Sequence, residues 1–141
     1  MPTTRTAATD LRVADLMSID PITVSDSATV EEAEEMLRHH RISGLPVVDV
    51  NARLVGVISQ TDLLYLAVPS IQALIHHRAS GIRVGEVMST PPVTIDGEAT
   101  LRAAARVMSE DRLHRLVAVD AHGRPVGVLS AMDFVALAAE E

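Results

Sequence analysis

The chain has 141 residues, the length of one ordinary domain or two very small ones. Its 48% hydrophobic content excludes a disordered chain, and a single Tyr65, a single Phe134 and no Trp exclude an aromatic platform for single-stranded nucleic acid. A formal charge of −7, with every basic residue an Arg, excludes the positive field that general DNA or anionic-membrane binding requires, yet leaves room for an anionic small molecule held by local Arg.

Cys is absent, so disulfides, thiolate metal sites and Cys nucleophiles are excluded. The opening MPTTRTAATDLR lacks the apolar core of a signal peptide, and no run approaches the ~18–20 apolar residues of a membrane span. A cytoplasmic chain without direct membrane insertion is expected.

In chain order, VADLMS (13–18) predicts a short helical turn and PITV (21–24) a brief β run after Pro21. A helix follows. Thr29 is a good N-cap, Glu32 at the third helical position completes a capping box, and Val30, Ala33 and Leu37 recur at helical spacing. LPVVDV (45–50) is an almost continuous apolar run, as buried strands are. Asn51-Ala52-Arg53 reads as a turn into a second strand, LVGVIS (54–59), and TDLLYLA (61–67) as a closing helix. Residues 65–83 read as a helical connector, interrupted at Pro69 and ended at Gly81.

The same series then runs again: VGEVMS (84–89), PVTI (92–95), a helix on Leu101, Ala104 and Met108, LVAVDA (116–121), PVGVLS (125–130) and MDFVALA (132–138). Shifting the chain by 71 residues aligns Val13 with Val84, Met17-Ser18 with Met88-Ser89, Thr29 with Thr100, Arg41 with Arg112, and Val55-Gly56-Val57 with Val126-Gly127-Val128. The chain is two copies of one β-α-β-β-α unit. The expected organisation is a first repeat over 11–67, a connector over 68–83 and a second repeat over 84–139. The expected fold class is α/β (α+β), with the repeats packed sheet to sheet about a pseudo-twofold axis and two related clefts between them.

GVISQTD (56–62) and GVLSAMD (127–133) hold Gly, Ser and Asp in register. Ser59 and Ser130 stand where a strand ends and a helix begins. Two readings follow. The first is capping: a hydroxyl at the N-cap and a carboxylate in the first turn complement free N–H groups. The second is a nucleotide pair: the hydroxyl donates to a phosphate oxygen, the acceptor-only carboxylate takes two vicinal ribose hydroxyls, and Gly56 and Gly127 permit close backbone approach.

Over about residues 11–135 the chain resembles a tandem pair of CBS (cystathionine β-synthase) domains, a Bateman module. The family pattern is Gly, hydrophobic, any, Ser or Thr, two of any, then Asp or Asn, and both quoted stretches fit it. The M-S-x-x-P start and the L-P-V-V-D strand fit as well. The resemblance implies a regulatory adenosine ligand (AMP, ADP, ATP, S-adenosylmethionine or an NAD-type molecule) and no required cofactor. It implies ribose contacts at Asp62 and Asp133, and phosphate contacts at Ser59 and Ser130. It places base contacts around Ile22-Thr23 and Val93-Thr94, with Leu45-Pro46 helping in the first copy. It also implies a homodimer.

The copies differ where ISGLPVVD meets LHRLVAVD: Gly44 aligns with Arg115 and Pro46 with Val117. A basic residue at the Arg115 position often reaches phosphate in this family, so His114 and Arg115 join the phosphate candidates and the two sites are expected to be unequal. The absence of Pro46's counterpart weakens the base pocket at Val117.

The remaining features read as structure. Adjacent His39-His40 and His76-His77 point different ways on a helix, unlike metal pairs at i, i+4, so no metal site is expected. Arg41 and Arg112 suit helix C-termini, with phosphate or a dimer face as the alternative. Glu31-Glu32-Ala33-Glu34-Glu35 reads as a solvated face. No G-x-S-x-G occurs and neither Asp has an evident acid partner, so no enzyme is expected. The expected function is an adenine-nucleotide sensor acting on an unidentified regulated protein. The alternatives are a dimerisation or interaction domain with empty clefts, and a regulatory piece of a transporter or enzyme.

Overall fold

The computed structural model of the chain describes residues 11–64, 68, 69 and 81–140. Most of the expected connector, with Tyr65 and His76-His77, lies outside the described residues. Gly81 has φ +73°, a left-handed conformation that glycine takes without steric cost.

The first copy forms α1 (Val13–Leu16), β1 (Ser18–Ile19), β2 (Val24–Ser25), α2 (Val30–His40), β3 (Gly44–Val48), β4 (Leu54–Ser59) and α3 (Gln60–Leu64). The second forms α4 (Val84–Val87), β5 (Thr94–Asp96), α5 (Leu101–Glu110), β6 (Arg115–Val119), β7 (Pro125–Ser130) and α6 (Ala131–Ala139). After its leading segment (α1 and the extra short strand β1 in the first copy, α4 in the second) each copy runs β-α-β-β-α, as the sequence predicts.

These strands build two sheets, ordered β2-β3-β4 and β1-β7-β6-β5. In each, a short strand pairs parallel with the first hairpin strand, and the hairpin is antiparallel. The hairpin turns share one device. Asp49 Oδ1 accepts the N–H groups of Asn51 (2.8 Å) and Arg53 (3.0 Å). Asp120 Oδ1 accepts those of His122 (2.8 Å) and Arg124 (3.0 Å). The bond from the Arg124 N–H leads the causes that hold the Asp120 carboxyl below the ordinary carboxylate value; desolvation opposes it, and the bond from the His122 N–H adds to it.

One cap differs from expectation. Thr29 Oγ1 accepts the Glu32 N–H at 3.1 Å, but Glu32 returns no bond, so the capping box is half formed. The exposed Glu32 carboxylate is solvated, and a bond to the backbone there gains little over one to water. At the two leading turns only the carboxylate half forms: the Arg12 N–H donates to Asp15 Oδ2 and the Arg83 N–H to Glu86 Oε2, both at 2.7 Å.

The compact units do not follow the sequence repeats. Their boundaries fall at Pro21/Ile22 and Pro92/Val93, so each unit joins the body of one copy to the leading segment of the other. The cores show the exchange. Val13 is fully buried with Ile95, Leu101, Ala104, Met108, Leu116 and Leu129 of the second copy. Val84 is fully buried with Val24, Ala33, Leu37, Leu45, Val47 and Ile58 of the first. The motif glycines make this docking possible. A Cβ on Gly56 would stand 2.6 Å from Met88 Sδ and 2.9 Å from the Ser89 carbonyl oxygen. One on Gly127 would collide with Met17 Sδ and stand 2.9 Å from the Ser18 carbonyl oxygen. The close approach expected at these glycines is therefore made by the leading segment of the other copy, with the methionine filling the space.

Candidate functional site

In the unit built on the first copy, β4 ends at Ser59, whose register partner is Gly44. Asp62 lies in the first turn of α3. Its Oδ2 accepts the Ser59 N–H (2.9 Å) and the Ser59 hydroxyl (3.1 Å), while Ser59 Oγ accepts the Asp62 N–H (3.2 Å). The capping reading is thus realised in full. Asp62 Oδ1 is also engaged: it accepts the Ser89 hydroxyl at 3.1 Å.

In the unit built on the second copy, β7 ends at Ser130, whose register partner is the exposed Arg115. Asp133 Oδ2 accepts the Ser130 N–H at 2.7 Å, and Ser130 Oγ accepts the Asp133 N–H at 3.3 Å. The cap is the same, but Asp133 Oδ1 and the Ser130 hydroxyl proton have no partner among the described residues. Ser59, Asp62, Ser130 and Asp133 are all half-buried.

The base candidates lie at the same end of each sheet. Thr94 pairs with Val117 on β6, and Arg115, two residues earlier on β6, pairs with Ser130 on β7. Adjacent strands stand ~4.8 Å apart and residues rise ~3.3 Å along a strand, so the backbones at Thr94 and Ser130, two strands across and two residues along, lie on the order of 12 Å apart at one sheet end. In the other unit Ile22 and Thr23 precede β2, and Gly44 and Ser59 close the far side. Ile22 and Val93 are exposed, whereas Pro46 and Val117 are buried.

Pro46 and Val117 shape these ends differently. In the register that places Thr94 opposite Val117, the Val117 N–H reaches the neighbouring strand; Pro46 has no N–H to do so. Pairing in the first copy accordingly begins one residue later, at Val24, and leaves Thr23 outside the strand. The exposed His114 flanks Arg115, and its carbonyl accepts the Ala131 N–H at 2.9 Å.

The other candidates belong to the helices and their ends. His39 and His40 are exposed in the last turn of α2, with rings 4.9 Å apart and edge to face. Among the described residues no group of His, Cys, Asp or Glu is arranged to hold a metal ion. Arg41 (φ 54°) and Arg112 (φ 54°) are left-handed residues just after α2 and α5, so their shared position reflects helix termination. Glu34 pairs with Arg38 at 3.6 Å on an exposed helix face.

Sequence reasoning missed Ser89 and the two methionines. The signal was present in the Met-Ser pair repeated at 17–18 and 88–89, but that pair reads locally as the end of a helical turn.

The chain is a tandem of two hairpin units, each carrying a capped Ser-x-x-Asp at one sheet end. The CBS domain family model matches residues 13–68 and 84–140, and the chain belongs to that family as a tandem pair. The crystal structure of CBSX2 in complex with AMP is similar with a TM-score of 0.79 at 35% identity, covering 92% of this chain and 96% of that one; CBSX2 is from Arabidopsis thaliana. The CBS domain pair of protein MJ0100, in complex with 5′-methylthioadenosine and S-adenosyl-L-methionine, is similar with a TM-score of 0.78 at 25% identity, over 92% of this chain and 97% of that one. Inosine-5′-monophosphate dehydrogenase of Korarchaeum cryptofilum is 32% identical over 114 residues, which are 81% of this chain and 21% of the dehydrogenase. Chloroplastic CBSX2 is matched over 54% of its length. The chain thus spans between about a fifth and about half of these relatives. No helix among the described residues is long and apolar enough to cross a membrane.

Proposed function

We propose that the chain is a regulatory module that binds an adenine nucleotide or related adenosine compound. The observation that carries this reading is the sheet end of the second copy. There Arg115, Ser130 and Asp133 stand together, with a hydroxyl proton and a carboxylate oxygen that have no partner among the described residues, on the order of 12 Å from the base run at Val93-Thr94. In this reading Asp133 and Asp62 accept ribose hydroxyls. Ser130, Ser59, Arg115 and His114 meet phosphate. Ile22, Thr23, Val93 and Thr94 border the base, with Pro46 shaping the first copy. AMP bound to CBSX2 and S-adenosyl-L-methionine bound to MJ0100 support this ligand class. The chain performs no reaction of its own, acts as a cytoplasmic homodimer, and passes ligand state to a regulated partner through a conformational equilibrium that the ligand biases by its differential affinity.

A second reading, an interaction domain without ligand, draws on the complete caps at Ser59–Asp62 and Ser130–Asp133. Thermal denaturation with AMP, ADP, ATP, S-adenosylmethionine and NAD separates the two. A ligand at a hundred times its dissociation constant adds about 2.7 kcal/mol and raises the melting temperature by several degrees. The sensor reading expects such a rise with at least one ligand and its loss in Asp133→Ala. No rise with any ligand, together with lower melting of Asp62→Ala and Asp133→Ala, leaves the motifs as caps.

A further inference from the structure

We infer that Ser89 makes the two nucleotide sites unequal: its hydroxyl occupies the Asp62 carboxylate, so the site of the second copy fills first and that of the first copy is held in reserve. The inference rests on the nucleotide-binding reading above and concerns how that function is distributed between the copies.

An ionised carboxylate offers about four acceptor positions. Asp62 has committed three, to the Ser59 N–H, the Ser59 hydroxyl and the Ser89 hydroxyl. Among the described residues Asp133 has committed one, to the Ser130 N–H. A ribose presents two vicinal hydroxyl donors. Asp133 accepts both without giving anything up, whereas Asp62 must first release a bond.

Ser89 is well placed to resist that release. Its N–H donates to the Val57 carbonyl (2.9 Å), and its own carbonyl accepts the Val57 N–H (3.1 Å). The next residue, Thr90, donates its hydroxyl to the Val55 carbonyl (2.9 Å). The segment is stitched along β4 with the hydroxyl aimed at Asp62 Oδ1. Its counterpart Ser18 is also paired along a strand, opposite Val128, yet its hydroxyl makes no bond to Asp133 among the described residues. The hydroxyls of the motif follow the same division: that of Ser59 donates to Asp62, and that of Ser130 has no acceptor among the described residues.

The test is calorimetric titration with AMP of wild type, Asp62→Asn, Asp133→Asn, Ser89→Ala, Ser89→Thr and the Ser89→Ala/Asp133→Asn double variant, each first checked for native circular dichroism. Asn keeps a capping oxygen while removing the charge. Wild type is expected to show one tight event and one weaker event. Asp133→Asn removes the tight event and Asp62→Asn leaves it. Ser89→Ala tightens the weaker event roughly 3- to 10-fold, in wild type and in the Asp133→Asn background, because one charged hydrogen bond no longer has to be broken. Ser89→Thr, which keeps the hydroxyl, behaves as wild type. Loss of the tight event in Asp62→Asn, or a weaker event unmoved by Ser89→Ala, overturns the inference while the sensor reading stands. No binding of AMP or of any ligand in the thermal panel by wild type overturns both.

Discussion

The two compact units have the same strand register, the same Asp-centred hairpin turn and the same Ser-x-x-Asp cap, but not the same free chemistry. One has Gly44 opposite Ser59 and Ser89 on its carboxylate; the other has Arg115 opposite Ser130 and an Asp133 oxygen with no partner among the described residues. Repetition conserves what folding needs, which is caps, turns and the glycine that admits a methionine. In the proposed reading, ligand chemistry enters where the copies depart from each other.

The largest expected effect comes from the shared element. Gly127→Ala or Gly56→Ala places a Cβ against a methionine thioether and a backbone carbonyl oxygen at 2.9 Å, and the carbonyl cannot swing aside. Each should lose about 1–3 kcal/mol, read as a lower urea midpoint with an unchanged slope. An unchanged midpoint in both would mean that the leading segments are not docked as described.

Arg115→Ala breaks the comparison from the other side. It should weaken AMP binding by about tenfold, the worth of one charged hydrogen bond, while leaving adenosine binding unaltered. Equal losses for AMP and adenosine would show that Arg115 does not meet phosphate.

Gly44→Arg sharpens the comparison by making the units alike. A Cβ at Gly44 would meet nothing closer than the Ile58 carbonyl oxygen at 3.5 Å, with the Ser59 Cβ at 3.9 Å, so the strand accepts it. A few-fold gain in AMP affinity at the weaker site is expected, within the range of one solvent-screened charge contact. A fall in stability without that gain would count against the assignment of this sheet end to phosphate.

The smallest effect concerns the turns. The folded Asp120 carboxyl sits below its ordinary value, so its stabilisation is complete above that value and is lost as pH falls through the folded one. Asp120→Asn should therefore melt slightly lower than wild type at neutral pH and converge with it in acid. A gap that persists or widens in acid would assign the turn to something other than the carboxylate charge.

Much of this was legible in the sequence because it is local. The 71-residue repeat places the hairpins, the helices capped at Thr29 and Thr100, and the turns at Asn51-Ala52-Arg53 and His122-Gly123-Arg124. The exchange of leading segments was not legible. Val13 and Val84 align with each other in the repeat, and nothing in their neighbourhood says that each is buried in the other copy's core. The roles of Gly56 and Gly127 were assigned to a ligand for the same reason: the sequence shows that a Cβ is unwelcome but not what fills the space. Ser89 was invisible because its partner Asp62 lies 27 residues away and the contact depends on that exchange. The Glu32 cap went the other way, since a correct pattern met an exposed carboxylate with no reason to leave water.

The most direct test of the central claim is amide chemical-shift mapping of wild type titrated with AMP. The account predicts the largest shifts at Thr94, Arg115, Ser130 and Asp133, the sheet end whose hydroxyl proton and carboxylate oxygen have no partner among the described residues. Shifts confined to the exposed face of α2, or no shifts at AMP concentrations well above the physiological range, would contradict it.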